Sequence, residues 1–300
     1  MGETSNETRK QFGNRYLTED DNVFKHNAWD DVKWDEEQEK LALESVQKNS
    51  AIVMPTEQVS KYINEADTNW NAFYNLHQNK FFKDRHWLFT EFPELKTSHS
   101  TSESFNIFEI GCGVGNTILP ILKYNNDDNV QIYGCDFSPR AIEILQKNEN
   151  FDSKRCQVFV LDATNENWQD SLPFGENSID IIVMIFVLSA IKPERMQTVL
   201  ENCFKYLKPG TGQVLFRDYG RYDLAQLRFK AGKCLQNNFY ARGDGTLVYF
   251  FDQDEIRMRF LNAGFVEGQN IVDRRLQVNR GKQLKMYRVW IQAKYRKPNE

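Results

Sequence analysis

From Phe105 onward the chain alternates short apolar runs with amphipathic stretches, and the first of these runs ends in FEIGCGVGN, residues 108–116. Strand-like runs fall at about 105–110, 130–135, 156–160, 179–186 and 213–217. Helix-like stretches occupy about 116–124, 138–148, 193–207 and 252–263. Such alternation requires right-handed crossovers and gives a parallel sheet covered on both faces. Two last strands, about 265–272 and 284–294, flank Asn279-Arg280-Gly281-Lys282, a turn sequence that predicts a hairpin at the sheet edge. The fold class is therefore α/β and Rossmann-like, with a mostly parallel sheet.

Gly111, Gly113 and Gly115 are spaced G-x-G-x-G, which is not the G-x-G-x-x-G of dinucleotide sites. A pyrophosphate needs the helix N-terminus. A ligand without phosphate needs only room, which glycine gives. Three successive strands then end in polar groups. Glu109 closes the first and suits an ammonium. Asp136 closes the second and suits two ribose hydroxyls, as the acid does in related sites. Asp162-Ala163 follows the third and suits an adenine amino group, with Phe137 as an apolar wedge and Ile185 from the fourth strand beside it. That set fits S-adenosylmethionine better than a nicotinamide cofactor.

Residues 1–60 read as an appendage, and a helical and aromatic segment over 61–104 follows it. Residues 1–14 are polar, and Trp29 and Trp34 stand among charges, which predicts that they dock on the body. A helix is expected from Asp35 to Lys48 and another over Val59–His77, where Trp70, Phe73, Tyr74 and His77 share one face. The N-terminus lacks an apolar signal core, so cytoplasm or nucleus is the default, and the cytoplasm is the expected location. Five cysteines, none in a C-x-x-C pair, point to buried thiols and not to zinc or disulfides. Residues 1–60 hold 13 acidic and 7 basic side chains, whereas residues 217–300 hold 17 basic and 9 acidic ones. A basic C-terminal part is compatible with a phosphate-contacting face, and equally with an ordinary solvated surface.

Five stretches carry a family resemblance: FFKDRHW (81–87), the GCGVGN loop, CDFSPRAIE (135–143), IFVLSAI (185–191) and LFRDYGRYDLAQLRFK (215–230). The chain resembles the tRNA N3-methylcytidine methyltransferases over nearly its whole length. Its two ends are most similar to the branch acting on threonine tRNA and, in some members, arginine tRNA. The resemblance implies a class I S-adenosylmethionine-dependent methyltransferase domain over 105–300. Its seven strands would run 3-2-1-4-5-7-6, with an antiparallel edge strand. A helical and aromatic cap would occupy 61–104 and an acidic helical extension 1–60. It further implies that Trp70 and Tyr74 join Gly111, Asp136, Asp162, Ala163 and Ile185 at the cofactor. The implied product is 3-methylcytidine at position 32 of the anticodon loop, with a protein partner for tRNA selection in some members.

N3 of cytosine has an in-plane lone pair and needs no deprotonation, so alignment carries most of the rate. Asp218 is the candidate to stabilise the charge formed on the base, its structural alternative being a pair with Arg217 or Arg221. The base must be unpaired or flipped. Phe81, Phe82, Trp87 or Tyr219 would stack on it. Lys83, Arg85 and His86 would meet nearby phosphates. Arg221, Arg228, Lys230, Arg242, Arg274, Arg275, Arg280 and Lys282 are the expected backbone contacts. Two rival readings remain open on sequence: a class I methyltransferase acting on protein or a small molecule, and a non-catalytic tRNA-binding subunit. No metal is expected.

Overall fold

The computed structural model describes residues 15–19, 21–81, 85, 87–96, 104–125 and 127–299. Phe82, Lys83 and His86, and most of the polar loop before Phe105, lie outside them. Eleven strands run through the described residues: β1 (Ala28–Trp29), β2 (Phe105–Ile110), β3 (Val130–Asp136), β4 (Cys156–Val160), β5 (Ile181–Ile185), β6 (Gln213–Tyr219), β7 (Cys234–Gln236), β8 (Phe239–Ala241), β9 (Leu247–Tyr249), β10 (Val266–Asn279) and β11 (Leu284–Arg296). The helices are α1 (Glu36–Ser50), α2 (Thr56–Asn64), α3 (Ala66–His77), α4 (Leu88–Glu91), α5 (Ile118–Tyr124), α6 (Pro139–Gln146), α7 (Pro193–Tyr206), α8 (Leu224–Leu227) and α9 (Gln253–Asn262).

The main sheet runs β1-β10-β11-β6-β5-β2-β3-β4. Strands β4, β3, β2, β5 and β6 are parallel, β11 is antiparallel to β6, and β10 pairs antiparallel with β11. Without β1 this is the 3-2-1-4-5-7-6 order. The hairpin expected near Asn279 is present and longer than predicted, because β10 continues to Asn279 along its partner. β1 caps the hairpin's open edge, with Ala28 opposite Gln277 and Trp29 opposite Leu276.

The central strand β5, Ile-Ile-Val-Met-Ile, is apolar on both faces because both are covered, as a parallel core strand requires. Ile182 and Met184 face the cluster containing α7 and α9, among them Val199, Leu200, Ile256 and Phe260. Ile181, Val183 and Ile185 face the other cluster, against Ile118, Ile121, Ile142 and Leu145 of α5 and α6. The period of two along a strand fixes this sorting.

Two local expectations change. The helix expected over Val59–His77 breaks at Glu65, whose N–H turns to Ile63 O and Lys61 O. The break lets Val59, Tyr62 and Ile63 pack on the main core while Phe73 and Tyr74 pack with Val114 and Ala141. A straight helix cannot reach both. The boundary expected at residue 60 falls inside α2. A small second sheet, β7-β8-β9, was not expected at all. It receives α1, whose Asn49 accepts from Tyr240 Oη (2.9 Å) and donates to Gln226 O (2.8 Å).

Trp29 is 2% exposed, and its indole N–H donates to Val23 O at 2.8 Å. It packs on Val32, Leu276 and Val278. Truncating a buried tryptophan costs about 3–5 kcal/mol. Trp29→Ala is therefore expected to lower the unfolding free energy from urea titration by that amount, and a loss under about 1 kcal/mol would show that the extension is only loosely attached.

Candidate active site

β2 delivers the chain into a loop of left-handed glycines. Gly111 has φ +66°, and a Cβ there would lie 2.3 Å from Val187 Cγ2. Gly113 has φ +51°, and its Cβ would lie 2.7 Å from Tyr74 Oη. These glycines let the loop meet the segment after β5 and helix α3 at close range. Gly115 packs instead against Leu145 and Leu119.

The loop is pinned from β3. Asp136 is buried, and its carboxylate accepts from Gly113 N–H and Ser138 N–H, both at 2.9 Å. Burial pushes it up to about 6, against the lowering pull of the two amides. Ser138 Oγ in turn caps α6 through Ala141 N–H at 3.2 Å. After β4, exposed Asp162 accepts from Thr164 N (2.9 Å) and Oγ1 (2.8 Å).

These strand ends enclose a cavity of about 370 Å³, lined by Trp70, Tyr74, Gly111, Asp136, Phe137, Asp162 and Ala163 among others. It lies at the carboxyl ends of parallel strands beneath α3, where open α/β sheets bind ligands. Trp70 tilts against Tyr74 with ring centroids 5.8 Å apart. Burial raises the Tyr74 phenol, so it stays protonated.

Four of the expected cofactor residues stand elsewhere. Ile185 is on the opposite face of β5, in the α5/α6 core. Phe186 and Val187 line the cavity in its place. Glu109 likewise faces away from the cavity wall that Ile110 forms. It lies 3.9 Å from Arg85 Nη1, and its Oε2 has no hydrogen-bond partner among the described residues. Burial pushes Glu109 up to about 8, with Arg85 and Thr117 opposing. Gly113 meets Tyr74 and Gly115 packs on Leu119 and Leu145, and neither lines the cavity itself.

Phe186, which lines the cavity, also meets β6. Phe186 has φ +58°, a strained value for an aromatic residue, and its ring lies 4.9 Å from that of Tyr219. Asp218 is fully buried beside them and accepts from Ser189 N–H (2.9 Å) and Tyr219 N–H (2.8 Å). Burial pushes it up to about 6. It pairs with neither Arg217 nor Arg221, which are bound to Asp273 and Asp252.

Comparison with known proteins decides the family. The chain is 61% identical over 289 residues to the tRNA N(3)-methylcytidine methyltransferase Mettl2 of Drosophila melanogaster, covering 95% of this chain and 88% of that one. The chain belongs to the tRNA N3-methylcytidine methyltransferases. It is 46% identical over 359 residues to the human tRNA N(3)-cytidine methyltransferase METTL2B, covering 97% and 94% of the two chains. It is 46% identical over 291 residues to the Saccharomyces cerevisiae tRNA(Thr) (cytosine(32)-N(3))-methyltransferase, covering 96% of this chain and 46% of that one. A family described as "Methyltransferase domain" matches residues 108–212. Among solved structures, the Burkholderia thailandensis 1,6-didemethyltoxoflavin-N1-methyltransferase shares the fold, with TM-score 0.54 at 14% identity over 80% of this chain and 90% of that one.

In this N3-methylcytidine methyltransferase, Arg85 and Trp87 of the FFKDRHW motif turn inward. Arg85 donates to Thr117 Oγ1 and approaches Glu109. Trp87 stacks under the buried Arg217 guanidinium at 4.9 Å. Phe81 is 54% exposed beside Phe73 and His77. Of the expected phosphate contacts, Arg275 is committed to Asp30, Glu91 and Asp273. Arg274 lies over Trp34, Arg242 lies over Tyr219, and Arg221 pairs with Asp252. Arg228, Lys230, Arg280 and Lys282 are exposed. Sequence reasoning missed Thr164, Leu161, Lys192, Arg195 and Leu247 on the cavity wall. Leu161 and Thr164 bracket the Asp162-Ala163 pair and were within reach of the same argument. Leu247 arrives from the unexpected sheet and gave no local signal.

The raised Glu109 carboxyl has a thermodynamic sign. A folded-state value of about 8 against an ordinary 4.5 means the folded protein holds more protons than the unfolded one between those values. Stability contributed by the neutral carboxyl is thus present below the unfolded value and lost as pH rises toward 8. Between pH 5 and 8 the wild type is expected to lose stability relative to Glu109→Gln by an amount on the order of a few kcal/mol. Denaturant titrations of both proteins at the two pH values check this. A pH-independent difference would mean that the carboxyl is ionised throughout.

Proposed function

We propose that the protein transfers a methyl group from S-adenosylmethionine to N3 of cytosine 32 in the anticodon loop of threonine tRNA. The observation that carries this reading is the cavity itself: apolar walls, one buried carboxylate and one exposed carboxylate at three adjoining strand ends, in a chain of this family. The similarity to the yeast tRNA(Thr) enzyme supports the choice of tRNA and position.

The residues fit the donor. Asp136 uses one lone pair of each oxygen on a backbone amide and keeps capacity to accept the ribose hydroxyls. Asp162 keeps acceptor capacity for the adenine amino group, with Phe137 and Ala163 as the walls. Trp70 and Tyr74 cover the methionine side of the cavity. When bound, the sulfonium supplies an electrophilic methyl group. The chain's own part is alignment and exclusion of water. Phe186 and Tyr219 supply aromatic faces for an everted base, where stacking is tolerant and strong. Methylation leaves a cationic base. Asp218, buried with both oxygens already bonded to amides, places negative charge next to that position without needing to move a proton. No general base is required.

Purified protein, labelled S-adenosylmethionine and unmodified threonine tRNA are expected to give 3-methylcytidine at position 32 by nucleoside mass spectrometry. Label on protein, or at another tRNA position, would overturn the assignment. Asp136→Asn should reduce cofactor affinity by about 100-fold or more, because an amide cannot accept from both Gly113 and Ser138 and leaves a buried donor unpaired. In the wild type, activity should fall as pH drops through about 6, where Asp136 and Asp218 take up protons. A rate that stays level down to pH 5 would separate both carboxylates from the reaction.

A further inference from the structure

Helix α3 carries Trp70 and Tyr74 over the cavity, and two asparagines on either side of Trp70 fasten it. Asn71 Oδ1 accepts from Ser138 Oγ at 2.5 Å, next to Asp136. Asn69 Nδ2 donates to Gly245 O at 3.1 Å, in the turn between β8 and β9. The second contact is close. Gly245 has φ +86°, and a Cβ on it would lie 2.8 Å from Asn69 Cγ.

That turn is stiff. Arg242 N–H donates to Thr246 O (2.8 Å) and Gly245 N–H donates to Arg242 O (3.1 Å). Asp244 Oδ1 accepts from Thr246 N (2.9 Å) and Oγ1 (2.7 Å). Its two ends reach the other side of the site. The Arg242 guanidinium lies 5.6 Å over the Tyr219 ring, and Leu247 forms part of the cavity wall. One five-residue turn with its neighbour thus touches the cofactor cover, the cavity wall and the aromatic pair at the base end.

We propose that the Arg242–Thr246 turn is a latch that couples closure of α3 over the cofactor to seating of the target base, with Asn69 as its positioning residue. The base-end half of this inference rests on the function proposed above. A rigid element in contact with both ligand positions passes a displacement from one to the other, and the coupling is reciprocal. Seating a base against Tyr219 fixes Arg242, which fixes Gly245 O as the acceptor for Asn69. Trp70 and Tyr74 then hold their places over the cavity.

The test measures S-adenosylhomocysteine binding to the full chain by calorimetry, with and without unmodified threonine tRNA. The wild type is expected to bind more tightly when tRNA is present. Asn69→Ala is expected to weaken binding about 5- to 10-fold, the worth of one partly buried hydrogen bond, and to abolish the tightening by tRNA. It should raise KM for S-adenosylmethionine more than it lowers kcat. Asn69→Asp keeps the shape without the donor and should repeat the loss. Gly245→Ala should weaken binding as well, and the Asn69→Ala/Gly245→Ala double variant should be no worse than Gly245→Ala alone, since both break one contact. Wild-type binding indifferent to tRNA, or an Asn69→Ala protein that still tightens normally, overturns the latch. Should the wild type form no 3-methylcytidine while Asn69→Ala still loses cofactor affinity, the substrate reading fails and the hold of Asn69 on the cofactor cover stands.

Discussion

A single buried carboxylate holds the reaction chamber together. Asp136 accepts from Gly113 N–H and Ser138 N–H, and so joins the loop after β2 to the loop after β3. Charge-assisted bonds of this kind are short and about twice as strong as neutral ones. Cys112 N–H to Cys135 O, at 2.8 Å, reinforces the same seam. Ser138 extends it, capping α6 with its hydroxyl oxygen while donating to Asn71 of α3. The floor of the cavity and its cover are therefore referenced to the same side chain. Desolvation raises Asp136, and the two amides keep it ionised at neutral pH.

The other wall depends on a buried ion network. Arg217 lies between the rings of Trp87 and Trp290, at 4.9 and 4.7 Å, and reaches Asp273 and Gln292. Gln292 donates to Glu91 at 2.9 Å, and Arg275 ties Glu91 to Asp30. The cap segment, the hairpin and the N-terminal extension thus share one set of charges. Removing one partner of a buried pair costs about 3–5 kcal/mol, because the other is left desolvated. The main chain of Arg217 is also part of the site, since its carbonyl accepts from Phe186 N–H at 2.9 Å. That bond holds the strained φ of Phe186 and with it the ring facing Tyr219.

Periodicity made the parallel strands legible. The runs at 105–110 and 156–160 needed no adjustment, because continuous apolar stretches bounded by turn residues have few other uses in a chain of this kind. The same period was available to sort side chains and would have separated Ile185 and Glu109 from the cavity, since Ile110 and Phe186 take the alternate positions. The break at Glu65 was illegible, because two packing targets impose it and neither is local. The β7-β8-β9 sheet was illegible for another reason: three-residue strands carry too little alternation to register. Yet that sheet supplies Leu247 and Arg242 to the site.

The charge asymmetry is partly internal to the fold. Residues 217–300 carry a surplus of cations, of which Arg275 and Lys294 pair with carboxylates from earlier in the chain, Asp30 and Glu91 for the first and Glu94 for the second. Arg217, Arg221, Arg257, Arg259, Arg275, Arg288 and Lys294 each pair with a carboxylate. Asp30 from the acidic N-terminal part is among the partners. Part of the acidic head therefore neutralises part of the basic tail. Net charge along a sequence predicts a phosphate-binding face only after such pairs are removed, because a paired guanidinium releases no counterions. The cations that remain exposed among the expected contacts, Arg228, Lys230, Arg280 and Lys282, sit in two places: one group just after α8 and one at the tip of the β10–β11 hairpin. Two small exposed groups of cations favour contacts set by geometry over bulk attraction to a polyanion.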